Sequence, residues 1–166
     1  MSKIYRFYTN NSIKKVQLDS DFHFFYFKPT LFKQKLHKGL YGQSDLLYFF
    51  WYLVTFGKYQ ILYIRDKKSG DLAHFSNILP AIFKYKFMSH SDLQILHCFT
   101  YERYRGRQLY SFSLSELNIK FPDRLIWIGS HISNIASIKV IETLGFKQMF
   151  DVKKRTIFGI YDKINE

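Results

Sequence analysis

The chain has 166 residues, of which 47% are hydrophobic and 20% aromatic, and its formal net charge is +12. A chain of this length can bury one substantial core, and this apolar share excludes a disordered protein. The charge favours anionic partners such as phosphorylated cofactors, acidic membrane lipids or nucleic acid. Because the lysines are scattered and no basic run resembles a nucleic-acid-binding tail, we do not expect direct nucleic-acid binding.

Several classes of protein are excluded by local features. The single cysteine, Cys98, rules out an intrachain disulfide. The segment Met1–Arg6 lacks the apolar centre of a signal peptide, and the longest apolar run, Leu46–Phe56, is too short to span a bilayer. We expect a cytoplasmic protein with one domain over residues 1–166, either a monomer or a homodimer, and we assign no metal ligands.

The first third of the chain predicts two strands and two helices. In chain order these are a strand at Ile4–Tyr8, a strand or extended segment at Asp21–Lys28, a short helix at Leu31–Lys38 and a helix at Leu46–Thr55. Ser44 is the expected N-cap of the last helix, and Gly57 is expected to end it. Since this helix is apolar nearly all round, we expect it to be buried on more than one side.

The rest of the chain alternates between strand and helix patterns. The predicted strands are Tyr59–Arg65, Leu72–Leu79, Leu93–Thr100, Leu125–Gly129, Phe150–Lys154 and Thr156–Tyr161, with a hairpin turn at Asp66–Asp71 and an ambiguous segment at Ala81–Ser89. One helix carries Tyr110, Leu114, Leu117 and Phe121 on one stripe, and another runs from Asn134 to Leu144 with Gly145 as its left-handed cap. The predicted class is α+β (mixed α/β), with a hairpin-rich sheet.

The turn Tyr104–Tyr110 joins a predicted strand to a predicted helix and contains Arg105, Gly106 and Arg107. The first amide groups of a helix have no intrahelical acceptor, and they lie at the positive end of the helix dipole. Such a turn binds phosphate readily, and two arginines add positive charge beside it. The sequence therefore predicts an anion site for a phosphorylated ligand, although an Arg-Gly-Arg turn on a basic protein is often a solvated loop.

Two segments in the second half of the chain, Leu96–Gln108 and Asn134–Phe146, together resemble the GNAT acetyltransferase superfamily. The first is similar to that family's fourth strand and pyrophosphate-binding loop. The second is similar to its Asn-x-x-Ser/Ala, Glu and Leu-Gly-Phe signature on the helix after the fifth strand. The hairpin Tyr59–Leu79 fits strands two and three, so the resemblance extends from about Lys58 to the end of the chain.

The resemblance implies a central, mostly antiparallel, bent sheet of about seven strands, flanked by about four helices, with strands four and five splayed apart. In the family, acetyl-CoA lies between these two strands, and its pantetheine arm pairs with the fourth. The residues that the resemblance assigns to the cofactor are Cys98, Phe99, Thr100, Arg105, Gly106, Arg107, Gln108, Leu109, Tyr110 and Asn134.

The sequence departs from the family pattern in two places. The loop usually has small residues where this chain has Gln108 and Tyr110. Gln108 can be accommodated only if its φ stays negative, and Tyr110 can be accommodated by pointing into the core. Many family members use a tyrosine as the acid at the position of Ile141, whereas a subgroup uses a serine that Ser137 matches. Ser137 is our candidate acid, with a purely structural helix bond as the alternative.

The remaining catalytic candidates are possible bases. Glu102 and His97 lie beside and on the predicted cofactor strand, and His74 lies on the facing hairpin. Glu102 can instead pair with a neighbouring arginine. His97 and Cys98 alternate along a strand, so one of them should face away from the cleft. We interpret Cys98 as a cofactor-strand residue rather than a nucleophile, since the family transfers the acyl group directly.

The acceptor is expected between the helices of the first half and the splayed strands. Tyr63, His74 and Trp127 are the predicted substrate-binding residues, and each can equally be an ordinary core residue. The resemblance implies an acetyl-CoA-dependent N-acetyltransferase acting on a small-molecule amine, such as a nucleotide-linked amino sugar. The alternatives are a protein N-terminal acetyltransferase related to those of ribosomal proteins, and a catalytically weak acyl-CoA-binding module.

Overall fold

The computed structural model describes residues 4–10, 12–37, 44–81, 85–154 and 161–164. Its strands are β1 (Ile4–Thr9), β2 (Phe22–Phe27), β3 (Gln60–Asp66), β4 (Leu72–Pro80), β5 (Leu93–Thr100), β6 (Ile126–His131), β7 (Lys147–Lys154) and β8 (Tyr161–Lys163). Its α-helices are α1 (Asp45–Val54), α2 (Leu109–Lys120) and α3 (Ile135–Thr143), and a short 3₁₀ turn covers Glu102–Tyr104.

The eight strands form one mixed sheet in the order β2-β3-β4-β5-β6-β1-β7-β8. The strand at the start of the chain, β1, lies inside the sheet, antiparallel to both β6 and β7. The β5–β6 pair is parallel, and every other pair among the described strands is antiparallel. The predicted class and the mostly antiparallel sheet are confirmed.

The parallel pair β5–β6 is short. Its register covers Leu93, Gln94 and Ile95 opposite Ile126, Trp127 and Ile128, although β5 continues to Thr100 and β6 to His131. The two strands therefore separate toward their carboxyl ends, as expected for the splayed pair. This gap positions the candidate site.

Side-chain alternation along β3 separates the core into two faces. Leu62 and Ile64 pack with residues of α2 and α3, whereas Ile61 and Tyr63 pack with Tyr48 and other residues of α1 and the sheet. Because successive strand residues point to opposite faces, α2 and α3 cover one side of the sheet and α1 covers part of the other.

The helix ends follow the signals in the sequence. The side chain of Ser44 accepts a hydrogen bond from the amide of Leu47 and caps α1. After α3, Gly145 adopts φ +100°, and a Cβ there would lie 2.4 Å from the carbonyl oxygen of Ser12. Only glycine fits this close approach, so the predicted cap at Gly145 is confirmed.

The expected helix at Leu31–Lys38 is wrong for the residues described there, which run to His37 and form bends. Hydrogen bonds to the sheet replace the helical pattern. The amide of Leu36 donates to the hydroxyl of Tyr63 at 3.3 Å, and the hydroxyl of Tyr59 donates to the carbonyl of Gln34 at 2.5 Å. The described part of the chain thus contains three α-helices rather than about four.

Helix α1 has the predicted limits but not the predicted burial. Tyr48 and Trp51 are buried, whereas Leu46 and Leu53 on the outer side are exposed. The helix packs on the sheet with one side, and no described segment covers the other. Among the described residues, no helix has the combination of length and apolar character that a membrane crossing requires.

The end of the chain differs from the prediction in strand length. β7 begins at Lys147, three residues before the predicted start, because Lys147 and Gln148 pair with Thr9 and Tyr8 of β1. The predicted strand Thr156–Tyr161 lies outside the described residues except for Tyr161, where β8 begins. Part of the ambiguous segment Ala81–Ser89 also lies outside them.

Candidate active site

A cavity of about 770 Å³ occupies the gap between the separated ends of β5 and β6. This volume is typical of sites that bind small molecules and cofactors. One wall comes from β5 and the turn that follows it, and the other from β6 and the first turns of α3. Its walls include Cys98, Phe99, Thr100, Arg105, Gly106, Gln108, Leu109, Tyr110, Asn134 and Ser137.

The turn between β5 and α2 places the first residues of α2 along this cavity. The first intrahelical amide bond of α2 runs from Phe112 to the carbonyl of Gln108, so the amides of Leu109, Tyr110 and Ser111 precede it. Gln108 occupies the N-cap without a side-chain hydrogen bond to the helix. These amides and the positive end of the α2 dipole are arranged to receive an anion.

Gln108 adopts φ +56° and ψ 18°, in the left-handed region. The expectation that its φ stays negative is therefore wrong. The turn keeps a left-handed conformation at a position where the family has a small residue, although the side chain makes it unfavourable. Because the Gln108 side chain is exposed rather than folded over the amides, the cavity stays open beside it.

The two arginines of the turn have different partners. Arg107 donates to Asp19 at 2.5 Å and Asp21 at 2.7 Å, on the segment that leads into β2, and its side chain is not part of the cavity wall. Arg105 lines the cavity, and its guanidinium lies 3.7 Å from the exposed carboxylate of Glu102. Of the two arginines, Arg105 is the one that faces the cavity, while Arg107 joins the turn to the segment that leads into β2.

A bulge in β5 brings two consecutive side chains to the cavity. The pairing of β5 with β4 shifts register between Phe75 and Asn77, and His97 has φ +47°. As a result both His97 and Cys98 line the cavity, so the expected alternation does not hold. The carbonyl of His97 accepts from the buried amide of Asn77 at 3.4 Å, and Asn77 in turn accepts from the Tyr48 hydroxyl at 3.2 Å.

The predicted acid has a specific partner. The Ser137 hydroxyl lies 3.0 Å from the hydroxyl of Tyr110, and the amide of Ser137 donates to the side-chain oxygen of Asn134, the N-cap of α3. Burial raises the pKa of Tyr110 well above its ordinary value, so this phenol stays protonated. The hydroxyl of Tyr110 therefore points toward α3.

Cys98 lies beside this pair, and burial raises the pKa of its thiol to about 12. It is therefore a protonated thiol at neutral pH, and a protonated thiol is a poor nucleophile. This agrees with its assignment to the wall of the cavity.

His74 lies below the cavity in a buried polar network. Its Nδ1 atom is 2.7 Å from the Thr100 hydroxyl, and its Nε2 atom is 2.8 Å from the Ser76 hydroxyl and 3.1 Å from that of Ser113. Burial lowers the pKa of His74 to about 3, so the ring is neutral at physiological pH. With both ring nitrogens engaged, His74 supports the end of β5.

The other predicted site residues lie away from the cavity. Glu102 is on the exposed 3₁₀ turn. Tyr63 is fully buried in the cluster beneath α1, and Trp127 is buried with its indole N–H donating to Asp92 at 2.9 Å. The roles assigned to these three stay predictions. Among the described residues, no group of three or more His, Cys, Asp or Glu side chains is arranged to hold a metal.

Tyr5, Ser130 and His131 also line the cavity and were not identified from the sequence. The ring of Tyr5 on β1 contacts that of His131 edge-on, 5.3 Å between centroids. The amide of Ser133 donates to Nδ1 of His131 at 3.2 Å, so in the neutral ring the proton lies on Nε2. The pairing of β1 with β6 brings these residues together, and no local sequence pattern predicts that pairing.

Comparisons with solved structures identify the fold. No protein-family model and no curated protein sequence matches the chain. The chain is similar to a GCN5-related N-acetyltransferase from Sphaerobacter thermophilus, with a TM-score of 0.63 and 9% identity over 92% of this chain and 50% of that one. A GCN5-related N-acetyltransferase-like protein from Streptococcus suis gives 0.57 and 16% over 90% and 60%.

A third similar structure is a tandem GNAT protein of the clavulanic acid biosynthesis pathway, with a TM-score of 0.57 and 12% identity over 90% of this chain and 51% of that one. The chain thus spans about half to three fifths of the length of these structures. The strand order, the splayed parallel pair and these likenesses agree, and the chain has the fold of the GNAT N-acetyltransferases.

Proposed function

We propose that this chain is an acetyltransferase that uses acetyl-CoA to acetylate the primary amine of a small molecule. One observation carries the proposal: the cavity between the separated ends of β5 and β6 is bordered by the first amide groups of α2. This arrangement offers an open strand edge and an anion site to one elongated, phosphorylated ligand.

The residues of the cavity fit this cofactor. The amides of Leu109, Tyr110 and Ser111 would receive the diphosphate, with Arg105 as the nearby cation. Beyond Ile95, no strand among the described residues pairs with β5 on its β6 side, so backbone groups between Cys98 and Thr100 are our candidates to pair with the amides of the pantetheine arm.

When bound, acetyl-CoA supplies an activated acetyl thioester, which an amine attacks to give an amide and a free thiol. The amine must lose a proton, and His97 is our candidate base because its side chain is exposed at the cavity wall. The Ser137 hydroxyl, held by Tyr110, is our candidate donor to the leaving sulfur. His74 is excluded from acid–base work by its engaged, neutral ring.

The acceptor class follows from charge. The net charge of +12 and the Arg105 side chain at the cavity suit an acceptor that carries phosphate, such as a nucleotide-linked amino sugar. We place this reaction in the cytoplasm, where acetyl-CoA and activated sugars are available.

The test measures thiol release from acetyl-CoA by the full chain with three acceptor panels: nucleotide-linked amino sugars, polyamines and peptides with free N-termini. We expect turnover with the amino sugars, and loss of cofactor affinity in Arg105→Ala but not in Lys67→Ala, a matched change in the exposed β3–β4 turn. Turnover with peptides alone would show that the acceptor is a peptide amine and not an amino sugar. If calorimetry shows that acetyl-CoA binds but no panel gives turnover, the proposed catalytic function is wrong and the chain is an acyl-CoA-binding module.

A further inference from the structure

The outer side of α1 presents a continuous apolar stripe. Leu46, Phe49, Phe50, Leu53 and Phe56 follow one another at helical spacing and are exposed, with Leu46 at 75% and Phe56 at 87%. Their neighbours Tyr48 and Trp51 are buried against the sheet. The helix is therefore apolar on both sides, and its inner side alone accounts for its packing in this chain.

The end of α1 adds an independent observation. Phe56, immediately after the C-cap, has φ +50°, a conformation that favours glycine or asparagine at this point of a helix. The Phe56 side chain at this position is 87% exposed. A residue that breaks a local rule without a compensating contact indicates a role outside folding.

The segment before α1 carries a further exposed aromatic ring. Lys35 pairs with Asp45 at the start of α1 at 2.8 Å, and its ammonium group lies 4.7 Å from the centroid of the Tyr48 ring. This places the segment beside the helix, and in it Phe32 is 94% exposed. The exposed apolar side chains of this region therefore include the α1 stripe and Phe32 on the neighbouring segment.

The charges around this surface are mostly positive. The described residues in 28–37 and 44–58 include four lysines and one acidic residue, Asp45. The side chain of Lys35 is buried and paired with Asp45, which leaves Lys28, Lys33 and Lys58 exposed. Lys33 follows Phe32 directly, and Lys58 follows the end of the helix, so cations flank the apolar side chains. Apolar side chains bordered by lysines match the two layers of an anionic bilayer surface, its acyl chains and its headgroups.

We propose that the outer stripe of α1 docks this protein on the surface of an anionic lipid bilayer. At ten residues the helix is too short to span a bilayer, so it lies along the surface with Leu53 and Phe56 among the acyl chains. A second copy of the chain is the less favoured occupant, since two bodies of charge +12 repel each other whereas an anionic surface attracts them.

The test measures flotation of the full-length protein with vesicles of phosphatidylcholine mixed with phosphatidylglycerol, and with vesicles of phosphatidylcholine alone. We expect binding to the mixed vesicles and a decrease of more than about tenfold in the partition coefficient of Leu53→Ser/Phe56→Ser, because each lost side chain removes apolar burial in the bilayer. The matched control Ile119→Ser/Leu125→Ser removes two exposed apolar side chains elsewhere and should bind like the wild type.

A charge-reversal pair separates local from overall attraction. Lys33→Glu/Lys58→Glu should weaken binding far more than Lys67→Glu/Lys68→Glu in the β3–β4 turn, although both pairs change the net charge equally. Equal effects of the two pairs, or no flotation of the wild type, would overturn the proposal. So would light scattering that shows a wild-type dimer, converted to a monomer by Leu53→Ser/Phe56→Ser without a change in lipid binding.

Discussion

The hydroxyl of Tyr110 on α2 lies 3.0 Å from the hydroxyl of Ser137 on α3, and both residues line the cavity. Ile141, one turn further along α3, is fully buried and does not reach the cavity. A tyrosine from the other helix therefore places a phenol next to the serine proposed as the acid. This contact orients the Ser137 hydroxyl, because Tyr110 remains protonated.

We expect Ser137→Ala to lower kcat by about a hundredfold, the lower range for loss of general acid catalysis. Tyr110→Phe keeps the ring and loses one hydrogen bond, so it should lower kcat by less than about tenfold. If Tyr110 acts through Ser137, the double variant should match Ser137→Ala. Steady-state kinetics, with Tyr52→Phe as the control, measures these effects on kcat. If the two single effects multiply in the double variant, Tyr110 and Ser137 act independently.

Gln108 provides a test of backbone strain at the cofactor turn. Because its φ is +56°, Gln108→Gly should raise the free energy of unfolding by about 1 kcal/mol, while Gln108→Val should lower it. Asparagine, which tolerates the left-handed region, should fall between glycine and glutamine. Denaturant unfolding gives this order, and a Gln108→Gly protein no more stable than the wild type would contradict the strain.

The two arginines of the turn should give different phenotypes. Arg105→Ala removes the cation at the cavity, so we expect about tenfold weaker acetyl-CoA binding with little change in stability. Arg107→Ala breaks the contacts with Asp19 and Asp21, which are largely solvent-exposed, and should lower stability only slightly. Calorimetry and thermal unfolding distinguish the two; Asp19→Asn/Asp21→Asn should reproduce Arg107→Ala and leave binding unchanged.

His74 predicts a pH dependence of stability. Its folded-state pKa of about 3 is below the ordinary value of 6.5, so between these values the unfolded chain binds the extra proton. Stability should therefore fall as pH decreases below about 6.5, by up to about 1.4 kcal/mol per pH unit. His74→Asn should show a flatter profile in this window, whereas His23→Asn, at an exposed position on β2, should follow the wild type. Parallel profiles for His74→Asn and the wild type would refute the assignment.

Asn77 predicts a link between α1 and the bulge in β5. Its side chain bonds both the Tyr48 hydroxyl and the carbonyl of His97. Asn77→Ala should leave the buried Tyr48 hydroxyl unpaired and cost about 1–3 kcal/mol of stability. It should also lower kcat more than it changes KM for acetyl-CoA, since His97 loses its support. Tyr48→Phe removes the other hydrogen bond of Asn77 and tests the same network. An unchanged kcat in Asn77→Ala would show that the bulge in β5 does not affect the reaction.

Much of the fold is encoded locally. The cap at Ser44, the left-handed cap at Gly145 and the apolar spacing of α2 follow from hydrogen bonding and side-chain periodicity within a few residues. The strand–turn–helix unit from β5 to α2 is also local. For this reason the sequence alone determined the class of the fold, most element limits and the position of the turn before α2.

Contacts between distant parts of the chain were decided only by the tertiary structure. The insertion of β1 beside β6 brings Tyr5 to His131, and the approach of α2 to α3 brings Tyr110 to Ser137. After Leu31, hydrogen bonds between the backbone and the hydroxyls of Tyr59 and Tyr63 form in place of the expected helix. No local periodicity encodes such pairings, because they depend on which surfaces meet once the sheet has formed. The orientation of α1 was also decided only by the tertiary structure. Because the helix is apolar on both sides, its sequence does not indicate which side is buried and which faces solvent.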